Sequence, residues 1–213
     1  MVDTSLYAAF VVAAFALCVT PGPDMMFVVA MGGRGGPATG VMAALGVAFG
    51  ALVHAVAAAL GLSALFTSLP TLYDTVRWIG AAYLLYLAIK AFRDRSGLGG
   101  YDGDAVAGSP GPGRLRTFRQ GAVTNLLNPK VILFNVAFLP QFVNPSLGHA
   151  VWQLLVLGLT LVLVGLAVDA SIGLLSGRLS SLLRRSRRVA RGLNVFSGTV
   201  FAGLAVRLAI TSD

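Results

Sequence analysis

The sequence predicts an all-α membrane protein: six transmembrane helices forming two inverted three-helix repeats, with helices 1 and 4 broken. Three observations carry this prediction. Hydrophobic residues reach 56% of the 213 and charged residues only 11%, with a mean hydropathy of +0.82, against roughly 25% charged in soluble domains. The apolar stretches suit about six lengths of ~20 residues, the length that crosses a bilayer. Two proline breaks, Thr20-Pro21-Gly22-Pro23-Asp24 and Asn125-Leu126-Leu127-Asn128-Pro129-Lys130, lie 108 residues apart, one in each half.

The spans are expected at 6–31 (broken at 21–23), 37–66, 69–92, 118–142 (broken at 128–129), 149–175 and 189–210. Met1-Val2-Asp3-Thr4-Ser5 lacks the basic start of a signal peptide, so the first span is expected to be retained. Residues 1–92 form the first repeat and 118–213 the second. Residues 93–117, rich in Gly, Pro and Asp, read as a flexible cytoplasmic linker within a single transmembrane domain. An odd number of spans per repeat makes the second start from the opposite side of the membrane.

Charge sets the orientation. Of the sixteen basic residues, thirteen fall on one face: Arg34; Lys90, Arg93, Arg95, Arg114, Arg116 and Arg119; and Arg178, Arg184, Arg185, Arg187, Arg188 and Arg191. The other face keeps Arg77 and Arg207. Basic loops stay cytoplasmic, so both termini are expected outside. The same distribution explains the formal charge of +8 by topology and argues against nucleic acid as a partner. A lone Cys18 excludes a disulfide, a CxxC pair and a thiolate metal cluster.

Non-helical backbone at membrane depth survives only when buried in protein or lining a cavity, so the breaks mark a site. Gly22 permits the turn and Pro23 opens a half-helix whose positive end points at the bilayer middle. Asn128 is a good N-cap and Pro129 a good first residue for a second such half-helix. Helix starts favour a carboxylate, and the carbonyls freed before them favour an ammonium, which together describe a zwitterion.

Pro21, Gly22, Pro23, Asp24, Asn125, Asn128, Pro129 and Lys130 are thus the candidate substrate-binding residues. An ionisable side chain in a span costs about 2.5–3.5 kcal/mol. Asp24 and Lys130 either pair with each other or meet the substrate, Lys130 its carboxylate and Asp24 its amino group or a coupling proton. His54, on the face of Gly46, Gly50 and Ala58, is a packing residue or a proton relay. Asp169 is a second relay candidate, or pairs with a loop arginine. No catalytic motif, P-loop, metal-ligand set or cofactor motif appears. The partners expected are a small amino acid, protons and the lipid bilayer, with a homo-oligomer left open. A proton moved across ~100 mV is worth about 2.3 kcal/mol, enough for a substrate gradient on the order of fifty-fold.

The segments TPGPDMMFVVAMGGRGGPATGVMAALGVAFGALVHAVAAALGLSALF, WIGAAYLLYLAIKAFR and GAVTNLLNPKVILFNVAFLPQFV resemble, in order and over nearly the whole chain, the lysine exporter family in its homoserine/threonine resistance branch. The matching motif positions are Pro21, Gly22, Pro23 and Asp24; Gly80, Tyr83 and Leu84; and Asn128, Pro129 and Lys130. The resemblance implies a bacterial inner-membrane exporter of homoserine, threonine or another small neutral amino acid, driven by proton antiport. Asn135 departs from the family pattern, which is more often apolar or aromatic there. Competing readings are a divalent-cation (cadmium-type) exporter of the wider superfamily and a membrane thiol-transfer enzyme, which would need a second cysteine.

Overall fold

A computed structural model describes residues 2–68, 70–93, 113–185 and 187–210, and every regular element among them is helical. The first span is two helices, α1 (Thr4–Val19) and α2 (Pro23–Gly35), bent by 51° at the break. Asp3 starts α1, its Oδ1 accepting from the N–H groups of Ser5 (3.0 Å) and Leu6 (3.2 Å). Thr20 turns extended before Pro21 (φ −68°, ψ 120°), as a residue preceding proline must to avoid its ring. The long helices α3 (Pro37–Ser68) and α4 (Pro70–Arg93) follow.

The second half repeats this order. α5 (Arg114–Leu126) and the segment from α6 (Pro129–Leu133) to Phe142 are again bent by 51°, and α7 (Ala150–Arg185) and α8 (Arg187–Ile210) complete it. α3 lies against α7 and α4 against α8, so each long helix meets its counterpart in the other half. The α1–α2 pair packs on α7 while α5 packs on α3, an exchange expected of two related halves.

α3, α7 and α8 are long and apolar enough to cross a membrane, and each bent pair passes as one further span. α4 spans about 36 Å at ~1.5 Å per residue but carries Asp74, Arg77, Lys90 and Arg93. Most of the predicted linker lies outside the described residues; its last residues, from Arg114, belong to α5. α7 runs ten residues past the expected end, since no proline interrupts it.

One expected helix is irregular. After Leu133 the chain makes a π turn (Phe134–Phe138) and then a 3-10 turn (Leu139–Phe142). Pro140 has no N–H to donate and its ring crowds the carbonyl four residues back, so an α-helix cannot continue through it.

Two apolar clusters hold the bundle. Toward the termini lies an aromatic group, Phe10, Phe134, Phe138 and Phe142, fully buried with Leu154, Leu157 and Leu208. Toward the arginine-rich face, Val28, Met31, Ala43, Ala44 and Val47 form a smaller one. There the helices touch through backbone: a Cβ on Gly40 would lie 2.6 Å from the Gly173 carbonyl oxygen, and one on Gly50 would lie 2.8 Å from that of Ala122. Such contact between membrane helices requires small residues. The breaks sit between the two clusters.

Candidate substrate site at the helix breaks

Asp24 and Lys130 hold matching positions, each the residue after the proline that opens its half-helix. Each reaches into the other half's break. The Asp24 carboxylate Oδ2 accepts from Asn125 Nδ2 (2.9 Å) and Asn128 Nδ2 (2.8 Å). Lys130 Nζ donates to the main-chain oxygens of Leu17 (3.3 Å) and Thr20 (3.1 Å), carbonyls released where α1 ends. Asp24 and Lys130 therefore do not pair with each other; two reciprocal braces cross the interface between the halves.

The local sequence fixes these positions. Asn128 caps α6 through Oδ1, which accepts from the Lys130 N–H (3.0 Å), and this anchors the base of the lysine side chain. Gly22, before Pro23, carries no side chain to cap α2. The N–H groups of Asp24 and Met25 consequently have no partner within the helix, because the first turn of any helix lacks one. A Cβ on Gly22 would come within 3.0 Å of Lys130 Nζ, so the glycine also makes room for the ammonium.

Beside the braces lies a cavity of ≈ 60 Å³, room for about five waters at ~10–15 Å³ each. Leu17, Cys18, Thr20, Asp24 and Met25 line it from the first break, and Asn125, Lys130 and Val131 from the second. Ala48 and Ala51 of α3 and Leu161, Val162, Gly165, Leu166 and Asp169 of α7 supply the remaining wall. Two buried acceptors at this site have no partner: Asp24 Oδ1 and Asn125 Oδ1. Asn125 is only 2% exposed, so leaving that oxygen unsatisfied is costly unless a donor arrives from the cavity.

Asp169 also reaches the cavity. It lies mid-way along α7, level with the breaks, and among the described residues no arginine lies within ion-pair distance of it. The expected loop-arginine pairing falls on Arg178, Arg184, Arg185 and Arg187, whose side chains lie outside the described residues. His54 is half-buried one layer back, its Nε2 3.4 Å from the Asn125 carbonyl oxygen, and does not line the cavity. Asn135 sits in the π turn, donating to the Val131 carbonyl (2.9 Å), and is likewise absent from the wall. Gly80 and Leu84 pack α4 against neighbouring segments: a Cβ on Gly80 would lie 2.7 Å from that of Ala137.

The α3 and α7 walls were not singled out from sequence. A signal was present for α7, since counting back in fours from Asp169 gives Gly165 and Leu161, one face of the helix. Among the described residues no group of three His, Cys, Asp or Glu could hold a metal ion.

The LysE type translocator family model matches residues 15–212, almost the whole chain. The chain belongs to this family. A protein of Pseudomonas aeruginosa called an uncharacterized membrane protein is 35% identical, covering 89% of this chain and 88% of its own. Proteins named leucine efflux protein are 33% identical in Enterobacter sp. (94% of this chain, 93% of theirs) and 29% identical in Salmonella choleraesuis (95% and 94%). No solved structure matches. LysE family members are multi-span membrane translocators, and this chain's all-helical fold with two broken spans is of that kind.

Proposed function

We propose that this LysE family member exports a neutral amino acid with an aliphatic side chain, leucine before threonine or homoserine, by proton antiport. The observation that carries the reading is the pair of unpartnered buried acceptors, Asp24 Oδ1 and Asn125 Oδ1, beside the uncapped start of α2. The acceptors suit the substrate's ammonium. The free N–H groups of α2, its positive end, and the one proton that Lys130 does not give to a carbonyl suit the carboxylate. Leu17, Met25, Ala48, Ala51, Val131, Leu161, Val162 and Leu166 offer the side chain an apolar wall, which favours leucine over a hydroxylated residue. The relatives named for leucine efflux point the same way.

Asp169, buried on the cavity wall with no hydrogen-bond or ion-pair partner among the described residues, is the residue assigned to carry the proton, with Asp24 and His54 behind it. On this reading the exporter sits in the bacterial inner membrane with its arginine-rich face cytoplasmic and both termini outside, an orientation that the bias of basic residues supports.

Counterflow of labelled leucine, threonine and homoserine into proteoliposomes loaded with each unlabelled amino acid tests the reading, with cadmium uptake as a further arm. Leucine counterflow that is accelerated uphill by an imposed pH gradient is the expected result. Cadmium transport without amino-acid counterflow, or leucine flux indifferent to the pH gradient, overturns it.

A further inference from the structure

We propose that the carbonyl ends of α1 form a monovalent-cation site that the chain fills itself, with the Lys130 ammonium as a tethered occupant, so that transport needs no free metal cation there. The inference takes the helix breaks as the transport site and does not depend on which amino acid is carried. Discontinuous helices of secondary transporters commonly present unwound carbonyls and helix C-terminal ends to a coupling cation. Here the Leu17 and Thr20 oxygens, at the negative end of α1, face Lys130 Nζ at 3.3 and 3.1 Å.

No carboxylate shares this ammonium within ion-pair distance among the described residues; the nearest candidate, Asp24, spends Oδ2 on two asparagine amides. Two carbonyls satisfy two of an ammonium's three protons but fall far short of the shell of about six or more oxygens that a metal ion such as calcium collects. Lys130 is 9% exposed and comes from the opposite half of the protein, its base fixed by Asn128. Gly22 lies over the ammonium with space for a hydrogen and little more. The arrangement is that of a ligand in a site, with the ligand attached to the other repeat.

A vacated site should accept a small primary alkylammonium. Lys130→Ala protein, purified in detergent, is titrated with propylammonium, and with tetramethylammonium as a cation that has no N–H to donate. The melting temperature of Lys130→Ala should rise saturably with propylammonium and not with tetramethylammonium, while wild type and Lys130→Met respond to neither. Lys130→Met retains the volume and removes the charge; it should fold and lose at least nine-tenths of substrate counterflow, and propylammonium should restore flux in Lys130→Ala only. A Lys130→Ala melting curve unmoved by propylammonium, or full counterflow in Lys130→Met, overturns the proposal. The melting arm is read without substrate, so it decides the cation site even where leucine proves not to be transported.

Discussion

Asp24→Asn separates the site's scaffold from its chemistry. The substitution keeps the shape and one acceptor oxygen, so the amides of Asn125 and Asn128 retain their partner and the brace between the halves holds. It removes the charge and turns the unpartnered acceptor, Oδ1, into an amide donor. A substrate ammonium then loses a charge-assisted hydrogen bond worth about 1.5–3 kcal/mol and meets a donor that cannot pair with it, at a further ~1–3 kcal/mol. A net loss of about 3 kcal/mol raises Kd on the order of a hundredfold. At a leucine concentration a hundred times the wild-type Kd, ligand stabilisation should fall from about 2.7 to about 0.4 kcal/mol. Asp24→Ala should behave differently, stranding two buried amide donors and costing about 2–6 kcal/mol of stability without ligand. Isothermal titration gives Kd and thermal unfolding in detergent gives stability. Wild-type leucine affinity in a folded Asp24→Asn protein would refute the ammonium assignment.

Asp169→Asn should keep leucine counterflow within a few-fold of wild type while abolishing uphill transport under an imposed pH gradient; preserved uphill transport removes Asp169 from the proton path. Gly40→Ala places its Cβ 2.6 Å from a backbone oxygen that cannot yield without parting α3 from α7, and should cost about 1–3 kcal/mol. Gly61→Ala, with nothing within 4 Å of its Cβ, should gain about 0.5–1 kcal/mol from helix propensity; equal effects in the two variants would contradict the packing argument. At the end of the bundle that carries the N-terminus, hydrogen bonds from the Ser5 hydroxyl, the Leu6 N–H and the Asn144 amide hold the Asp3 carboxyl at about 2, well below the usual range. Since this folded-state value is depressed, the stabilisation is present above about pH 4 and is lost as pH falls through 2. The stability difference between wild type and Asp3→Asn should therefore be constant above that range and shrink across it, which unfolding curves from pH 6 to 2 can check.

The six-part helical plan, the two breaks and the residues flanking them were legible because each rests on local chemistry. A proline stops a helix whatever surrounds it, Asn128 caps the turn it precedes, and apolar length reports on the bilayer directly. The irregular 134–142 segment was readable in principle from Pro140, and the α7 wall from the four-residue spacing behind Asp169. The partners of Asp24 and Lys130 were not readable. A mutual ion pair and a pair of separate braces demand the same two residues at the same two positions.

By itself, then, the sequence determined that helices break at two equivalent points in lipid and that charged groups stand there. Only the tertiary structure decided that Asp24 answers to amides, Lys130 to carbonyls and Asp169 to the cavity. The reason is physical: a break exposes donors and acceptors locally, but which group satisfies them depends on the 51° bends and on glycine contacts between helices far apart in the chain.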